Sequence, residues 1–128
     1  MNPATRTAVF IVDDVPTMRE RLRELIGDIE GVDVVGDAGT PTDAIQAILR
    51  TRPDCVLLDY QLDGGTGVDV LRAVHPTSPE IVFIVLTNHA TPQHRRACID
   101  AGARFFFDKS AEFDQVCAAV ANSTRRPD

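Results

Sequence analysis

The sequence predicts a single α/β domain in which a parallel sheet is covered by helices on both faces. Apolar, strand-like runs alternate with amphipathic stretches five times along the 128 residues, and four of the five runs are continuous. Continuous apolar runs are typical of strands buried on both faces. Strict alternation of strand and helix with short loops favours a parallel sheet with right-handed crossovers. The five predicted strands are Ala8–Val12, Val32–Val35, Cys55–Leu58, Ile81–Leu86 and Arg104–Phe107.

The first two predicted helices have clear local signals. Pro16 is a favourable first-turn residue for the first helix, and Gly31 is placed to end that helix. Its apolar stripe at helical spacing is Met18, Leu22, Leu25, Ile26 and Ile29. The second helix opens with Thr40 as a cap, Pro41 and Asp43. Its predicted buried stripe is Ala44, Ile45, Ile48 and Leu49.

The other three helices differ in how much apolar surface they offer. The third, from about Thr66 to Val74, is predicted to bury Val68, Leu71 and Val74. The fourth starts near Thr91-Pro92 and ends at Gly102, with a thin stripe made of Ala97, Cys98 and Ala101. The fifth follows Ser110 and is predicted to bury Phe113, Val116, Cys117 and Val120.

Composition excludes several classes of function. The formal net charge is −6, which argues against direct nucleic-acid binding by this domain. Three cysteines without a C-x-x-C pair indicate reduced, mostly buried thiols and a cytoplasmic location. The apolar run near the N-terminus is too short for a signal peptide, and no stretch approaches membrane-spanning length. We therefore expect no membrane partner.

Polar residues follow four of the predicted strands. Asp13 and Asp14 follow the first strand, Asp59 the third and Thr87 the fourth, while Lys109 follows the fifth with one residue between. In open α/β sheets, ligands bind outside the carboxyl ends of the strands. We therefore expect these five side chains to meet at one rim of the sheet.

A cluster of three carboxylates and a lysine restricts the chemistry. Neighbouring carboxylates repel one another, and a hard cation such as Mg²⁺ relieves that repulsion through oxygen ligands. A carboxylate beside a cation and an ammonium can act as a nucleophile toward phosphorus, giving an aspartyl phosphate. Thr87 offers a hydroxyl to a phosphoryl oxygen. Because the set contains no dedicated base, it fits a phosphoryl acceptor better than a hydrolase.

The segments VDD, LLDY, VLTN and FDKS resemble the receiver domain of bacterial response regulators in two-component signalling. The resemblance runs from about Ala8 to Val120. It implies a flavodoxin-like, doubly wound five-stranded parallel sheet in the order 2-1-3-4-5, flanked by five helices. On this basis we expect residues 7–122 to form the receiver domain and residues 123–128 a flexible C-terminal tail.

The resemblance also implies a role for each residue of the rim. Asp59 resembles the phosphoacceptor and Asp14 a direct metal ligand. Asp13 resembles a ligand that acts partly through water, and the backbone carbonyl of Gln61 would complete the protein ligands of Mg²⁺.

The remaining matches are to the switch residues of the family. Thr87 resembles the switch hydroxyl and Phe106, three residues before Lys109, the switch aromatic. Gly67 matches a glycine eight residues after the phosphoacceptor.

The function that follows is phosphoryl transfer from a sensor histidine kinase, or a histidine phosphotransfer protein, onto Asp59. The fourth helix, fifth strand and fifth helix would then change their surface to control a protein target, and this surface is also where a homodimer is expected. Such a domain is not an enzyme beyond its own phosphorylation and dephosphorylation. It acts alone or as the receiver part of a longer regulator.

Some positions depart from the family pattern. Asp63 stands where a proline is usual, Asn88 where a small residue is usual, and Ser110 where a proline often follows the lysine. His89, two residues beyond Thr87, has no metal-ligand spacing and is placed to overhang the pocket, where it would tune dephosphorylation.

Simpler interpretations exist for each residue taken alone. Asp13-Asp14 would suit a solvated strand-to-helix turn, Thr87 a strand end and Lys109 the surface. A phosphatase with an aspartate nucleophile needs a second acid two residues later, where Gln61 stands. A pseudo-receiver that is never phosphorylated is disfavoured because all five residues of the rim are present.

Overall fold

The computed structural model describes residues 6–123, apart from the side chain of Phe113. The strands of the main sheet, β1 to β5, are Thr7–Val12, Val32–Ala38, Cys55–Leu58, Val82–Thr87 and Phe105–Asp108. The helices, α1 to α5, are Pro16–Gly27, Pro41–Thr51, Gly67–Val74, Pro92–Asp100 and Phe113–Ser123. Every predicted strand and helix is therefore present.

The main sheet has the order β2-β1-β3-β4-β5, and all four neighbouring pairs are parallel. The predicted flavodoxin-like order 2-1-3-4-5 is thus confirmed. Because β1 and β3 are adjacent at the point where the strand order reverses, the carboxyl ends of these two strands border a crevice of the kind that binds ligands.

Side chains of the central strands point alternately into two apolar layers. Along β1, Phe10 and Val12 enter the layer shared with α2, α3 and α4, whereas Val9 and Ile11 enter the layer shared with α1 and α5. The sheet is therefore covered on both faces, which explains why the strand runs are continuously apolar.

Several helix predictions hold at the level of single residues. Leu22 and Ile26 of α1, and Val68, Leu71 and Val74 of α3, are buried. In α5, Val116 and Val120 are buried and Cys117 is half-buried. The predicted burial of Phe113 concerns a side chain outside the described part of the structure, and the predicted tail from residue 124 onward also lies outside it.

Three details of the prediction are wrong. Leu49 is 44% exposed because α2 meets the core through Pro41, Ala44 and Ile48 instead. Helix α1 ends at Gly27, so Ile29 packs from the following turn. Strand β2 continues to Ala38, past the predicted end at Val35, since a register shift opposite Val9 and Phe10 lets its pairing with β1 continue.

A short hairpin after β3 was not predicted. Gln61–Leu62 pairs antiparallel with Gly65–Thr66, around Gly64 with its positive φ of 90°. The amide of Gly67 donates to the carbonyl of Tyr60 at 2.7 Å and closes the hairpin against α3. A Cβ at position 67 would lie 2.5 Å from the carbonyl oxygen of Asp59, so glycine is required for this close approach.

No helix within the described residues is long and apolar enough to cross a membrane.

Candidate functional site

The five rim residues predicted from the sequence meet at the carboxyl edge of the sheet. Asp13, Asp14 and Asp59 each offer a carboxylate oxygen, and these oxygens all lie within 4.8 Å of one another. Lys109 joins them from the segment after β5, and Thr87 ends β4. The rim also borders a pocket lined by Asp14, Val15, Asp59, Gln61, Leu62, Asp63, Gly64, Asn88, His89 and Lys109.

Lys109 ties two of the carboxylates together. Its Nζ donates to Asp13 Oδ2 at 2.7 Å and to Asp59 Oδ2 at 3.1 Å, and its side chain is only 7% exposed. Burial lowers the pKa of Lys109, but the hydrogen bond to Asp13 and the charges of Asp59 and Asp13 outweigh burial and raise it overall. The ammonium is therefore a fixed positive charge at the centre of the rim.

Asp59 lies at the bottom of the pocket, directly after β3. Burial raises the pKa of Asp59, while the charge and hydrogen bond of Lys109 oppose this rise and Asp13 adds to it. A hydrogen bond from Thr87 also favours the carboxylate form. A second cation near Asp59 would remove the remaining cost of burying this charge.

The two aspartates after β1 have different environments. Asp13 is buried, its Oδ1 accepts from the amide of Val15 at 2.9 Å, and its backbone carbonyl accepts from Arg19 Nη1 at 2.6 Å. Asp14 is exposed and faces the pocket. One carboxylate is thus fixed by the protein, whereas the other is accessible to a ligand in the pocket.

Thr87 is fully buried at the end of β4. Its Oγ1 accepts from the amide of His89 at 3.1 Å, which leaves the hydroxyl proton for Asp59. The backbone amide of Lys109 donates to the carbonyl of Thr87 at 2.9 Å. Movement of Thr87 is therefore coupled to the segment that carries Lys109.

The remaining predicted residues lie around this core of the site. The amide of Gln61 is 3.4 Å from Asp59 Oδ1, and its side chain is exposed. Phe106 is buried, and the guanidinium of Arg95 lies 5.9 Å from its ring centroid and donates to its carbonyl at 3.2 Å. His89 is exposed and borders the pocket, while its predicted effect on dephosphorylation stays a prediction.

Sequence reasoning missed three residues near the site. Arg19 pairs with Asp37 at 3.3 Å as well as binding the carbonyl of Asp13. The ring of His94 stacks on Tyr60 with centroids 4.0 Å apart and planes at 15°. Adjacency to Asp59 was a signal for Tyr60, but no local pattern marks Arg19 or His94.

Comparison with known proteins identifies the family. Residues 9–121 match the model of the response regulator receiver domain. The chain belongs to this family. It is 31% identical over 112 residues to the DNA-binding transcriptional activator DevR/DosR of Mycobacterium tuberculosis and 30% identical over 112 residues to the response regulator UvrY of Escherichia coli. These alignments cover 88% of the chain, 52% of DevR/DosR and 51% of UvrY, so this receiver chain spans about half the length of the relatives it matches.

Solved structures give the same result. The signal receiver domain of the putative response regulator NarL from Mycobacterium tuberculosis aligns with a TM-score of 0.85 and 27% identity, over 93% of this chain and 96% of that one. The receiver domain of a putative LuxO repressor from Vibrio parahaemolyticus aligns with a TM-score of 0.82 and 28% identity, over 93% and 90% of the two chains. The receiver family places this domain in two-component signal transduction.

Proposed function

We propose that this receiver accepts a phosphoryl group on Asp59 and uses Mg²⁺ to do so. The observation that supports this best is the contact of Lys109 with both Asp13 and Asp59. Together with Asp14, these two residues offer carboxylate oxygens that lie within 4.8 Å of one another. A nucleophilic oxygen beside a fixed cation, at the end of a central strand, is suited to attack on phosphorus.

The transfer would proceed from a phosphohistidine. A carboxylate oxygen of Asp59 attacks phosphorus as the P–N bond to the donor imidazole breaks, and the bonding pair leaves with that nitrogen. If the other nitrogen of the donor ring is protonated, the ring leaves as neutral imidazole and needs no further proton. If it is not, the leaving imidazolate takes a proton from water, so the receiver supplies none. Lys109 remains protonated and stabilises negative charge on the transferring group. Hydrolysis later returns inorganic phosphate and the free Asp59 carboxylate.

The donor set fits Mg²⁺. Asp13, Asp14 and Asp59 are oxygen ligands, and the raised pKa of Asp59 indicates a carboxylate that still lacks full charge compensation. These three residues and the backbone carbonyl of Gln61 would hold the ion. When bound, Mg²⁺ would neutralise charge on the oxygens of the transferring phosphoryl group.

The signal would spread from Thr87. Its hydroxyl would turn to a phosphoryl oxygen, β4 and α4 would shift, and Phe106 would fill the vacated space. Such a change needs a two-state element that the phosphoryl group biases. The output surface would be α4, β5 and α5, with Arg95 and Arg96 on α4 and Arg104 directly before β5.

The partners follow from this chemistry. A sensor histidine kinase or a histidine phosphotransfer protein would be the donor, and a protein target or a second copy would bind the α4-β5-α5 surface. We expect the domain to act in the cytoplasm, alone or as the receiver of a longer regulator.

The decisive experiment is labelling with acetyl phosphate. Asp59→Asn should abolish incorporation, because the amide is not a nucleophile toward phosphorus. Asp28→Asn, which removes an exposed carboxylate just after α1, is the matched control and should label like the wild type. Equal labelling of Asp59→Asn and wild type, measured by intact-protein mass spectrometry, would refute the proposal.

Mg²⁺ binding should weaken as the pH falls. Burial raises the pKa of Asp59, so protons begin to compete with Mg²⁺ at a higher pH than for an exposed aspartate. The apparent affinity measured by calorimetry should therefore be lower at about pH 5 than at about pH 7, and the fall should begin above the ordinary aspartate pKa. The same heat at both pH values, or none at either, would contradict a site built on Asp59.

A further inference from the structure

Aromatic and polar contacts connect the segment after the acceptor strand β3 to the fourth helix, beside the pocket. Tyr60, directly after Asp59, stacks on the ring of His94 in the first turn of α4, with centroids 4.0 Å apart. His94 Nδ1 lies 2.7 Å from the carbonyl oxygen of His89, which borders the pocket. Tyr60, His94 and His89 are referred to below as the loop bridge.

The hydrogen-bond partner of His94 indicates the tautomer of its neutral ring. A carbonyl oxygen can only accept, so the 2.7 Å contact assigns the proton of the neutral ring to Nδ1 and leaves Nε2 unprotonated. The same carbonyl also accepts from the amide of Thr91 at 3.0 Å. Both lone pairs of this oxygen are therefore used, and the loop before α4 is held from two sides.

The other end of the held loop reaches Thr87. The amide of His89 donates to Thr87 Oγ1 at 3.1 Å, while the carbonyl of His89 accepts from His94. A shift of Thr87 toward the pocket must therefore either break its hydrogen bond with the amide of His89 or pull His89 away from His94. The stack resists the second path because the backbone of Tyr60 is itself fixed by Gly67 at 2.7 Å.

We propose that His94 is a positioning residue that holds the β4–α4 loop in the resting arrangement and so opposes activation. This inference rests on the proposed function for its effect on phosphoryl binding, but not for its effect on the loop. The bridge stabilises the arrangement in which Thr87 is bound to His89. In this arrangement the hydroxyl of Thr87 donates to Asp59. Loss of the bridge should therefore shift the equilibrium toward the arrangement in which Thr87 leaves the amide of His89 and donates to a phosphoryl oxygen instead.

Two substitutions separate the two contacts of His94. His94→Phe keeps a ring for the stack and removes the donor. His94→Asn keeps an N–H group close to the position of Nδ1 and removes the ring. Gln93→Ala, at the exposed neighbouring position of the same turn, is the control. Urea unfolding of each variant will show that all of them are folded.

The first measurement uses the resting protein without Mg²⁺ or phosphodonor. Nitrogen NMR of His94 should show the Nδ1–H tautomer. Amide exchange at His89 should accelerate about three- to tenfold in His94→Phe, as expected for the loss of one ordinary hydrogen bond. Tyr60 is the only tyrosine and the chain has no tryptophan, so intrinsic emission reports the stack and should change in His94→Asn but not in His94→Phe or Gln93→Ala.

The second measurement is the affinity for beryllofluoride, a phosphoryl mimic, in the presence of Mg²⁺. His94→Phe should bind it about three- to tenfold more tightly than wild type, and His94→Asn about threefold more tightly. Unchanged or weaker binding in both variants would overturn the inference.

The two proposals fail in different ways. If wild type does not bind beryllofluoride, the proposed phosphoacceptor function is wrong, and the resting-state measurements alone decide the bridge. An Nε2–H tautomer of His94, or an amide exchange rate of His89 that is unchanged in His94→Phe, would refute the loop bridge whether or not Asp59 accepts a phosphoryl group.

Discussion

Helices α2 and α4 both begin with a proline that follows a threonine N-cap, yet they are held to the sheet very differently. The amide of Asp43 donates to Thr40 Oγ1 at 3.2 Å in α2, and the amide of His94 donates to Thr91 Oγ1 at 3.1 Å in α4. The starts of the two helices are therefore equivalent. Among the described residues, however, α2 buries Pro41, Ala44 and Ile48, whereas α4 buries Cys98.

Charge adds to the difference between these helices. Helix α2 has Asp43 in its first turn and Arg50 in its last, which complements the helix dipole. Helix α4 has neither an acid in its first turn nor a base in its last. Local sequence thus sets where a helix begins, while the buried face and the charges decide how firmly it is held. The weakly held helix is the one that adjoins the loop bridge.

The largest contrast should come from truncating one isoleucine on each helix. Ile48→Ala leaves a cavity under α2 and should lower the free energy of unfolding by about 2–5 kcal/mol. Ile99→Ala on α4 removes a side chain that is 40% exposed and should change it by less than about 0.5 kcal/mol. Urea unfolding of both variants measures this, and equal losses would show that α4 is held as firmly as α2.

Thiol reactivity offers a sharper contrast between α4 and the sheet. Burial raises the pKa of Cys98 in α4 to about 11 and that of Cys55 in β3 to about 12. Labelling needs the thiolate, so both thiols should be protected. If α4 opens locally, Cys98 should react at least about tenfold faster than Cys55, which requires disruption of the sheet.

Peptide mass spectrometry after timed alkylation would measure both rates, with the half-buried Cys117 as the internal reference. The pH dependence has a definite sign. Because a raised pKa means less thiolate at a given pH, a thiol that reacts in its native environment should react faster as the pH rises beyond about 8.5, the ordinary thiol pKa. Identical rates for Cys98 and Cys55 would contradict local opening of α4.

The smallest effect should come from the two caps. Thr40→Ala should cost about 1 kcal/mol of global stability, because α2 unfolds together with the core. Thr91→Ala should affect global stability less and should instead accelerate amide exchange within α4 by about fivefold. Thr42→Ala, at an exposed position of α2, is the control for loss of a hydroxyl. Equal losses in the free energy of unfolding for Thr40→Ala and Thr91→Ala would show that α2 and α4 are held equally firmly.

The sequence predicts the fold and the rim well because both depend on local patterns. Continuous apolar runs identify the strands, and parallel pairing then brings Asp13, Asp59, Thr87 and Lys109 to one edge. Neither step needs knowledge of side-chain packing. The roles of these residues in phosphoryl transfer remain predictions for the labelling and binding experiments.

The failures concern features that depend on tertiary packing. Helical spacing gives Leu49 and Ile48 similar status, but the angle at which α2 meets the sheet exposes the first and buries the second. The stack of Tyr60 on His94 joins residues from two separate loops, and no periodicity connects them. The hairpin at 61–66 consists of two-residue strands, which are too short to give a recognisable alternation.

The close approach of Gly67 to the backbone of Asp59 has a practical consequence. A single methyl group added there would collide with the carbonyl oxygen of Asp59 and lie 3.1 Å from Leu58 Cγ. The backbone position of Asp59, and with it the proposed reactivity of this residue, thus depends on empty space at a residue that carries no functional group. Gly67→Ala would therefore be a way to impair the proposed phosphorylation of Asp59 while preserving every charge of the domain, and hence its electrostatic attraction for other molecules.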